Sequence, residues 1–591
     1  MKPLRLLLFL VVFQSSYNLY GQEIPVISIS INNTETSKDD YVSSKYIKCI
    51  ISLINGASLS TDIPVLIRNM NLSKGGQVLF SISGGKSKGN SDLNLILPRD
   101  NSSKTFYIKG KSNFYSITDK DAVLEALDSR IDYDNAVLAR KAFMVTNNSP
   151  LPNMTAEIEM KINSNSTLDD YITWSPAYCS IRLSNYTNFS SPVNILLRNM
   201  NTSIGKVYFS DSQLQQNSTA TNSTLSLTLP NSGTWVNFFI AGDFNNPSKT
   251  DKDAVIEIVS ETTNTVYTRE ALMIRVRKNA NNLTIEEKDR FINSLITLNN
   301  TNNKYITFVN IHTRPGVPEG HNGPGFLAWH RAFVLNLERE LQAVDPAVAL
   351  PYWKFDVAAS AIFSVDFMGA KPLISTDAFA DFNLSNPLGF WNMAGITGIR
   401  RTTSFENGAE PSSIRTEIST LALGDTYTLF RSMEGNPHGT AHNLGGSMTG
   451  DWIRELQTAV QDPLFFLLHS NVDRLWAKCQ WINNLFDPLN INTYSPQGDY
   501  PNSGIIHIGH YLNDTMWPWN GLTGTYTGTG TILPGNRPIT APGGPFPNAL
   551  SFPLAPVSNP KPFDMINYKN VTAINTINGG LGFCYDDVPF Q

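Results

Sequence analysis

Along residues 24–277 apolar and polar positions alternate with a period of two, in runs such as IPVISIS (24–30), AEIEMKI (156–162) and TLSLTL (224–229). Runs of this kind, separated by Ser, Thr and Asn, predict short antiparallel strands. After about residue 280 the period lengthens. LTIEEKDRFINSLITL (283–298) and GFLAWHRAFVLNLERELQ (325–342) space their apolar residues as amphipathic helices do, the second with His330, Val334, Leu337 and Leu341 on one face. In NPHGTAH (436–442), Asn436 is expected to cap a helix and Pro437 to open it, which sets His438 and His442 one turn apart on one face. In DPLFFLLHSNVDRLWAKCQ (462–480), Asp462 and Pro463 play the same parts, and His469, Val472, Asp473 and Trp476 share the inner face. The Gly-, Thr- and Pro-rich stretch 520–556 reads as long loops, and IIHIGHY (505–511) as strand-like.

The β-rich part repeats itself. Asp39-Asp40-Tyr41 recurs as Asp169-Asp170-Tyr171, Cys49 as Cys179, and Arg68-Asn69-Met70-Asn71 as Arg198-Asn199-Met200-Asn201, each at an offset of 130. Two consecutive all-β sandwiches over 24–150 and 151–279 are therefore expected, of immunoglobulin-like type from the density of strands, with a mainly helical domain over 280–591. Each copy holds a single Cys, so buried thiols are expected there and not an internal disulfide. The repeats contain no histidine and no titratable cluster, which suits a spacer, scaffold or adhesive module.

Composition narrows the partners. The 591 residues are 41% apolar and 16% charged, enough for several packed cores. With 45 basic against 50 acidic residues, a net charge of −5 argues against a nucleic-acid ligand. Lys2 and Arg5 precede the apolar run Leu6–Phe13, which is too short to span a bilayer, and a polar stretch follows to Gly21. Residues 1–21 therefore read as a secretory signal peptide. No Cys stands directly after it, the first being Cys49, so the mature chain is expected to be secreted or periplasmic, with neither lipid nor transmembrane anchor. Four cysteines and no CxxC make neither a disulfide framework nor a thiolate zinc site.

The histidines carry the chemistry. All eight lie after residue 311, and six form two sets of three: His312, His321, His330 and His438, His442, His469. A lone inward histidine is usually a core residue; six of eight on inward helix faces or just before one point to metal. Imidazole ligation without thiolate or carboxylate suits copper or zinc, and two separate three-histidine sets favour a pair of copper ions able to bind O2.

The strings H…HNGPGFLAWHRAFVLNLE (312–338), LPYW (350–353), ExxPHGTAH (434–442), DPLFFLLHSNVDRLW (462–476) and a tail over 562–590 resemble the tyrosinase and catechol oxidase family of type 3 dicopper proteins. The resemblance covers about 280–591 and implies a four-helix bundle holding one copper on each histidine triad, with oxidation of o-diphenols, and of monophenols in some members, to o-quinones by O2. Small phenols or protein tyrosines would be the substrates. A hemocyanin-like oxygen carrier is the alternative, and Leu468, where many phenol oxidases carry a second histidine, leans towards it. Glu319 replaces the Cys that forms a thioether in some relatives. Gly439 stands where strong monophenol hydroxylases often place Asn to orient a water, and Glu434 matches the carboxylate that polarises that water, a helix-terminal charge being its other reading. Asp473 is expected either to accept an imidazole N–H or to form a surface salt bridge with Arg474 as a second candidate. Phe326 and Phe466 either line the pocket or pack the core. Export would permit a Cys479–Cys584 disulfide tying the tail to the helix of the second triad.

Overall fold

The computed structural model describes residues 25–590, apart from 33–40, 71–75, 85–87, 117–121, 131–136, 147–155, 163–170, 213–221, 313–319, 373–377, 406–412, 500–508, 521–559, 570–579 and the single positions 26, 55 and 302. The leader expected over 1–21, Glu319, His507 and nearly all of the loop expected over 520–556 lie outside the described residues. The chain divides into two compact units, Met1–Asn153 and Met154–Gln591.

In the first unit the alternating segments become strands β1 (Ile27–Asn32), β2 (Tyr41–Val42), β3 (Ile47–Leu53), β4 (Ile63–Asn69), β5 (Val78–Ser81), β6 (Asp92–Leu97), β7 (Lys104–Gly110), β8 (Ala122–Asp128) and β9 (Val137–Val145). They form two sheets, ordered β1-β3-β7-β5 and β2-β9-β8-β4-β6. Successive side chains of a strand point to opposite faces, so the period of two becomes one buried face per strand. Ile47, Cys49, Ile51 and Leu53 of β3 and Ile63, Val65 and Ile67 of β4 all face one core shared by the two sheets.

The second unit opens with the same plan: β10 (Ile158–Ile162), β11 (Tyr171–Ile172), β12 (Ala177–Leu183), β13 (Val193–Asn199), β14 (Val207–Ser210), β15 (Thr224–Leu229), β16 (Val236–Gly242), β17 (Ala254–Ser260) and β18 (Val266–Ile274). Its sheets run β10-β12-β16-β14 and β11-β18-β17-β13-β15, the order of the first repeat position by position. The equivalence extends to register, with Cys49 opposite Phe106 in one copy and Cys179 opposite Phe238 in the other. Both thiols are buried and free.

After β18 the same unit continues as helices α1 (Ile285–Ile296), α2 (Tyr305–Ile311), α3 (Phe326–Val344), α4 (Glu417–Leu421), α5 (Tyr427–Phe430), α6 (Thr440–Gly445), α7 (Leu464–Asn483) and α8 (Pro562–Ile566). None among the described residues is long and apolar enough to cross a membrane. A reciprocal capping box between Thr284 and Glu287 starts α1. At α7, Asp462 accepts the Leu464 N–H at 2.9 Å and pairs with Arg401 at 2.8 Å, so the expected cap is also a buried ion pair. The apolar core runs unbroken from the second sandwich into the helices. Polar ties accompany it: Trp174 donates from Nε1 to the Tyr585 carbonyl at 2.8 Å, and Arg275 donates to the Pro346 carbonyl at 2.5 Å.

Two expectations are corrected here. Asn436 has the extended backbone of a capping residue (φ −148°, ψ 119°), but its side-chain oxygen accepts the Arg415 N–H at 2.8 Å and no N–H of the helix. Cys479 and Cys584 are not bonded to each other. Cys479 Sγ accepts from Asn483 at 3.6 Å and Cys584 Sγ lies 3.7 Å from the Arg275 carbonyl, and burial pushes both thiols up to about 12.

Candidate metal centre

The six histidines come from four places in the helical part. His312 ends α2, His321 precedes α3, and His330 sits one turn inside α3. His438 stands in the irregular turn Gly435–Gly439 that leads into α6, His442 lies on α6, and His469 lies on α7. The helices α3 and α7 pack against each other, which brings the two sets together. All six rings are buried.

Within each triad, one nitrogen per histidine lies within 4.8 Å of the others. The triads also adjoin: the His330 and His469 rings stack with centroids 4.2 Å apart and planes at 9°, and His321 lies 6.3 Å from His438.

Hydrogen bonding fixes several tautomers. A backbone carbonyl can only accept, so Nδ1 carries the proton in His330 (to Phe326, 2.9 Å), His438 (to Glu434, 2.8 Å) and His442 (to Ile453, 2.6 Å). Each Nε2 is then a lone pair directed away from that carbonyl. Burial, followed by the neighbouring imidazoles, holds His312, His330, His438 and His469 well below the usual histidine range, and burial brings His442 down to about 4. At neutral pH these five rings are therefore uncharged and their lone pairs are available.

Those lone pairs test the fit of a metal. Nε2 of His312, His330 and His438 is buried without a hydrogen-bond partner, and Nε2 of His442 faces Nε2 of His469 at 3.3 Å. Leaving several such groups unmade costs about 1–3 kcal/mol each. Six buried imidazoles with converging lone pairs, no thiolate and no carboxylate are the donor set of two borderline-soft ions such as copper.

A cleft of about 450 Å³ opens beside the centre, lined by His321, His438, Gly439, Glu434, Arg431 and Leu456 among others. Glu434 sits in it partly buried; burial raises its carboxyl above the usual range, and its Oε1 accepts the Asn322 N–H at 2.7 Å. Asn322 adopts the left-handed region (φ 57°), so this bond pins the turn that presents His321. Gly439 is helical, and a Cβ there would meet only the Glu434 carbonyl, at 3.5 Å.

The remaining candidates separate. Phe326 lies against the centre, its ring 4.8 Å from both His330 and His438. Phe466 touches no histidine and packs on Tyr305, Phe308 and Phe333. Its neighbour Phe465 takes the inner place, 4.2 Å from His469 and 4.8 Å from His312. The signal for it was present: Phe326/His330 and Phe465/His469 are both i, i+4 pairs, which stack on one helix face. Asp473 accepts from no imidazole and is not at the surface. It is buried and receives Arg331, Arg277 at 3.1 Å and the Tyr585 hydroxyl at 2.6 Å. Arg474 points elsewhere, to Glu417 at 2.6 Å and to Asp587. His510 is buried but not in a strand; its ring packs against Gly323, where a Cβ would lie 1.9 Å from it.

Residues 302–482 match the model of the common central domain of tyrosinase. The tyrosinase of Streptomyces antibioticus is 34% identical over 278 residues, which span 42% of this chain and 94% of the relative. That of Streptomyces lincolnensis is 32% identical over 41% of this chain and 99% of the relative. Among solved structures, the tyrosinase from Burkholderia thailandensis aligns over 53% of this chain and 76% of its own, at 18% identity and a TM-score of 0.31.

Proposed function

The chain belongs to the tyrosinase family of type 3 copper oxidoreductases, and on that premise we propose that its two histidine triads each hold one copper and that it oxidises o-diphenols to o-quinones with O2. The observation that carries the reading is the pair of adjoining triads with converging lone pairs, opening directly onto a cleft. A bound copper pair supplies the redox chemistry: two diphenols each give up two electrons and two protons, and one O2 becomes two waters.

The protein's own groups do the rest. Backbone carbonyls hold Nδ1–H of His330, His438 and His442, which orients three ligands before any metal arrives. Phe326, buried, packs its ring 4.8 Å from that of His438 and steadies the imidazole that lines the cleft. Glu434, its carboxyl raised by burial, is placed in the cleft to take or hold a proton of the incoming phenol through a water. Gly439 offers no side chain to fix that water, so the diphenol is the better substrate and monophenol hydroxylation the weaker activity. The cleft also supports the enzyme reading over an oxygen carrier, since its volume falls within the roughly 300–1,000 Å³ of small-molecule sites.

Export is part of this proposal and rests on the basic and apolar pattern of residues 1–21. So does the division into sequence units 24–150, 151–279 and 280–591, with the two repeats taken as immunoglobulin-like sandwiches on the strength of their matching two-sheet plans. O2 consumption by the copper-loaded protein tests the function, with catechol and separately with phenol. Uptake with catechol is expected; two bound coppers and no uptake with catechol would overturn the reading in favour of a carrier.

A further inference from the structure

Two charged side chains line the cleft, and they differ in how they are satisfied. Glu434 accepts a backbone N–H. Arg431 sits one helical turn before it, on the 3-10 turn Arg431–Glu434, and makes no ion pair or hydrogen bond with any described residue. Four buried arginines behind the centre are paired by contrast: Arg277 and Arg331 to Asp473, Arg401 to Asp462, Arg474 to Glu417 and Asp587. Arg431 is half-buried, so part of its hydration is already lost while its five donors stay unused. Glu434 shares the cleft and interacts electrostatically with Arg431, but no ion pair joins the two.

Leu456 adds apolar surface to the same cleft, and the His438 ring, packed on the buried Phe326, forms its floor. A ligand that fits this arrangement has an aromatic ring for the floor and an anionic group to meet a planar cation at the wall. We infer that Arg431 is a specificity-determining residue that selects phenols bearing a carboxylate, holding that carboxylate while the ring lies against His438. The inference rests on the phenol oxidase reading and names the substrate class of that site.

The test compares kcat/KM of the copper-loaded protein for three catechols of similar size: 3-(3,4-dihydroxyphenyl)propionate, 4-propylcatechol and 2-(3,4-dihydroxyphenyl)ethylamine. The wild type is expected to favour the carboxylate over the neutral compound by roughly ten- to one-hundred-fold, the range of one charge-assisted hydrogen-bonded contact. The ratio should fall towards one in Arg431→Gln, mainly through KM of the carboxylate, and should turn to favour the amine in Arg431→Glu. Arg431→Lys should keep part of the preference, because it keeps the charge without the fork. Raised ionic strength should shrink the wild-type ratio. A wild type with no preference, or a preference that survives Arg431→Gln, would overturn the inference while leaving the oxidase reading intact. Two bound coppers with no oxidation of any of the three would bring down that reading and this inference with it.

Discussion

At the scale of single residues, Gly439 is where one side chain would change the chemistry of the cleft. It has helical angles (φ −59°, ψ −34°), and a Cβ there meets nothing closer than the Glu434 carbonyl at 3.5 Å. Gly439→Asn should therefore fold without loss of stability, because asparagine is no worse a helix former than glycine, being better by roughly a few tenths of a kcal/mol. With an amide beside Glu434 to orient a water, the ratio of phenol to catechol oxidation should rise. An unchanged ratio in a variant with two coppers would contradict the role given to this position. The inward histidines of α3, α6 and α7 were legible in the sequence because helical spacing is local. Phe465 was not singled out, since an unbroken apolar run hides which of two adjacent phenylalanines turns inward until the i, i+4 relation to His469 is applied.

At the scale of elements, α3 and α7 are joined by a buried charge cluster behind the histidines. Asp473 of α7 receives Arg331 of α3 and Arg277 from the segment after β18; Arg277 in turn pairs with Glu338 of α3 at 2.6 Å. Tyr585 bonds both Asp473 and Arg277, and the Arg277 guanidinium lies 3.9 Å from the Phe583 ring centroid. Removing the one carboxylate shared by two buried guanidiniums leaves charge uncompensated at low dielectric, which costs about 3–5 kcal/mol. Asp473→Asn should thus lower the unfolding free energy by that order, measured by denaturant titration of the metal-free protein. A loss under 1 kcal/mol would mean the cluster is not what holds the helices together. None of this was legible in the sequence. The partners of Asp473 stand 142, 196 and 112 residues away along the chain, and no periodicity reaches that far.

At the scale of the whole molecule, the two repeats share a strand plan and differ in what they belong to. The first is a compact unit of its own, Met1–Asn153, and the second shares a unit and a core with the helices. The sequence showed the duplication through its offset motifs, and suggested spacer roles for both copies alike. It could not show the divergence, because the ties of the second copy run from Trp174 to Tyr585 and from Arg275 to Pro346, far apart in the chain. Deleting 24–150 should leave copper content and catechol turnover close to those of the full chain. Deleting 24–277 removes Trp174, Arg275 and Arg277, and should yield an unstable or insoluble product. Equal stability of the two truncations would contradict the integration of the second repeat.

The central claim is that six histidines form one dicopper oxidase centre. Copper content and O2 uptake with catechol, measured together on the wild type, His330→Ala and His442→Ala, test it most directly. Two coppers per chain and sustained uptake are expected in the wild type, with loss of at least one copper and of nearly all uptake in either variant. Full copper content and full turnover in either variant would contradict it.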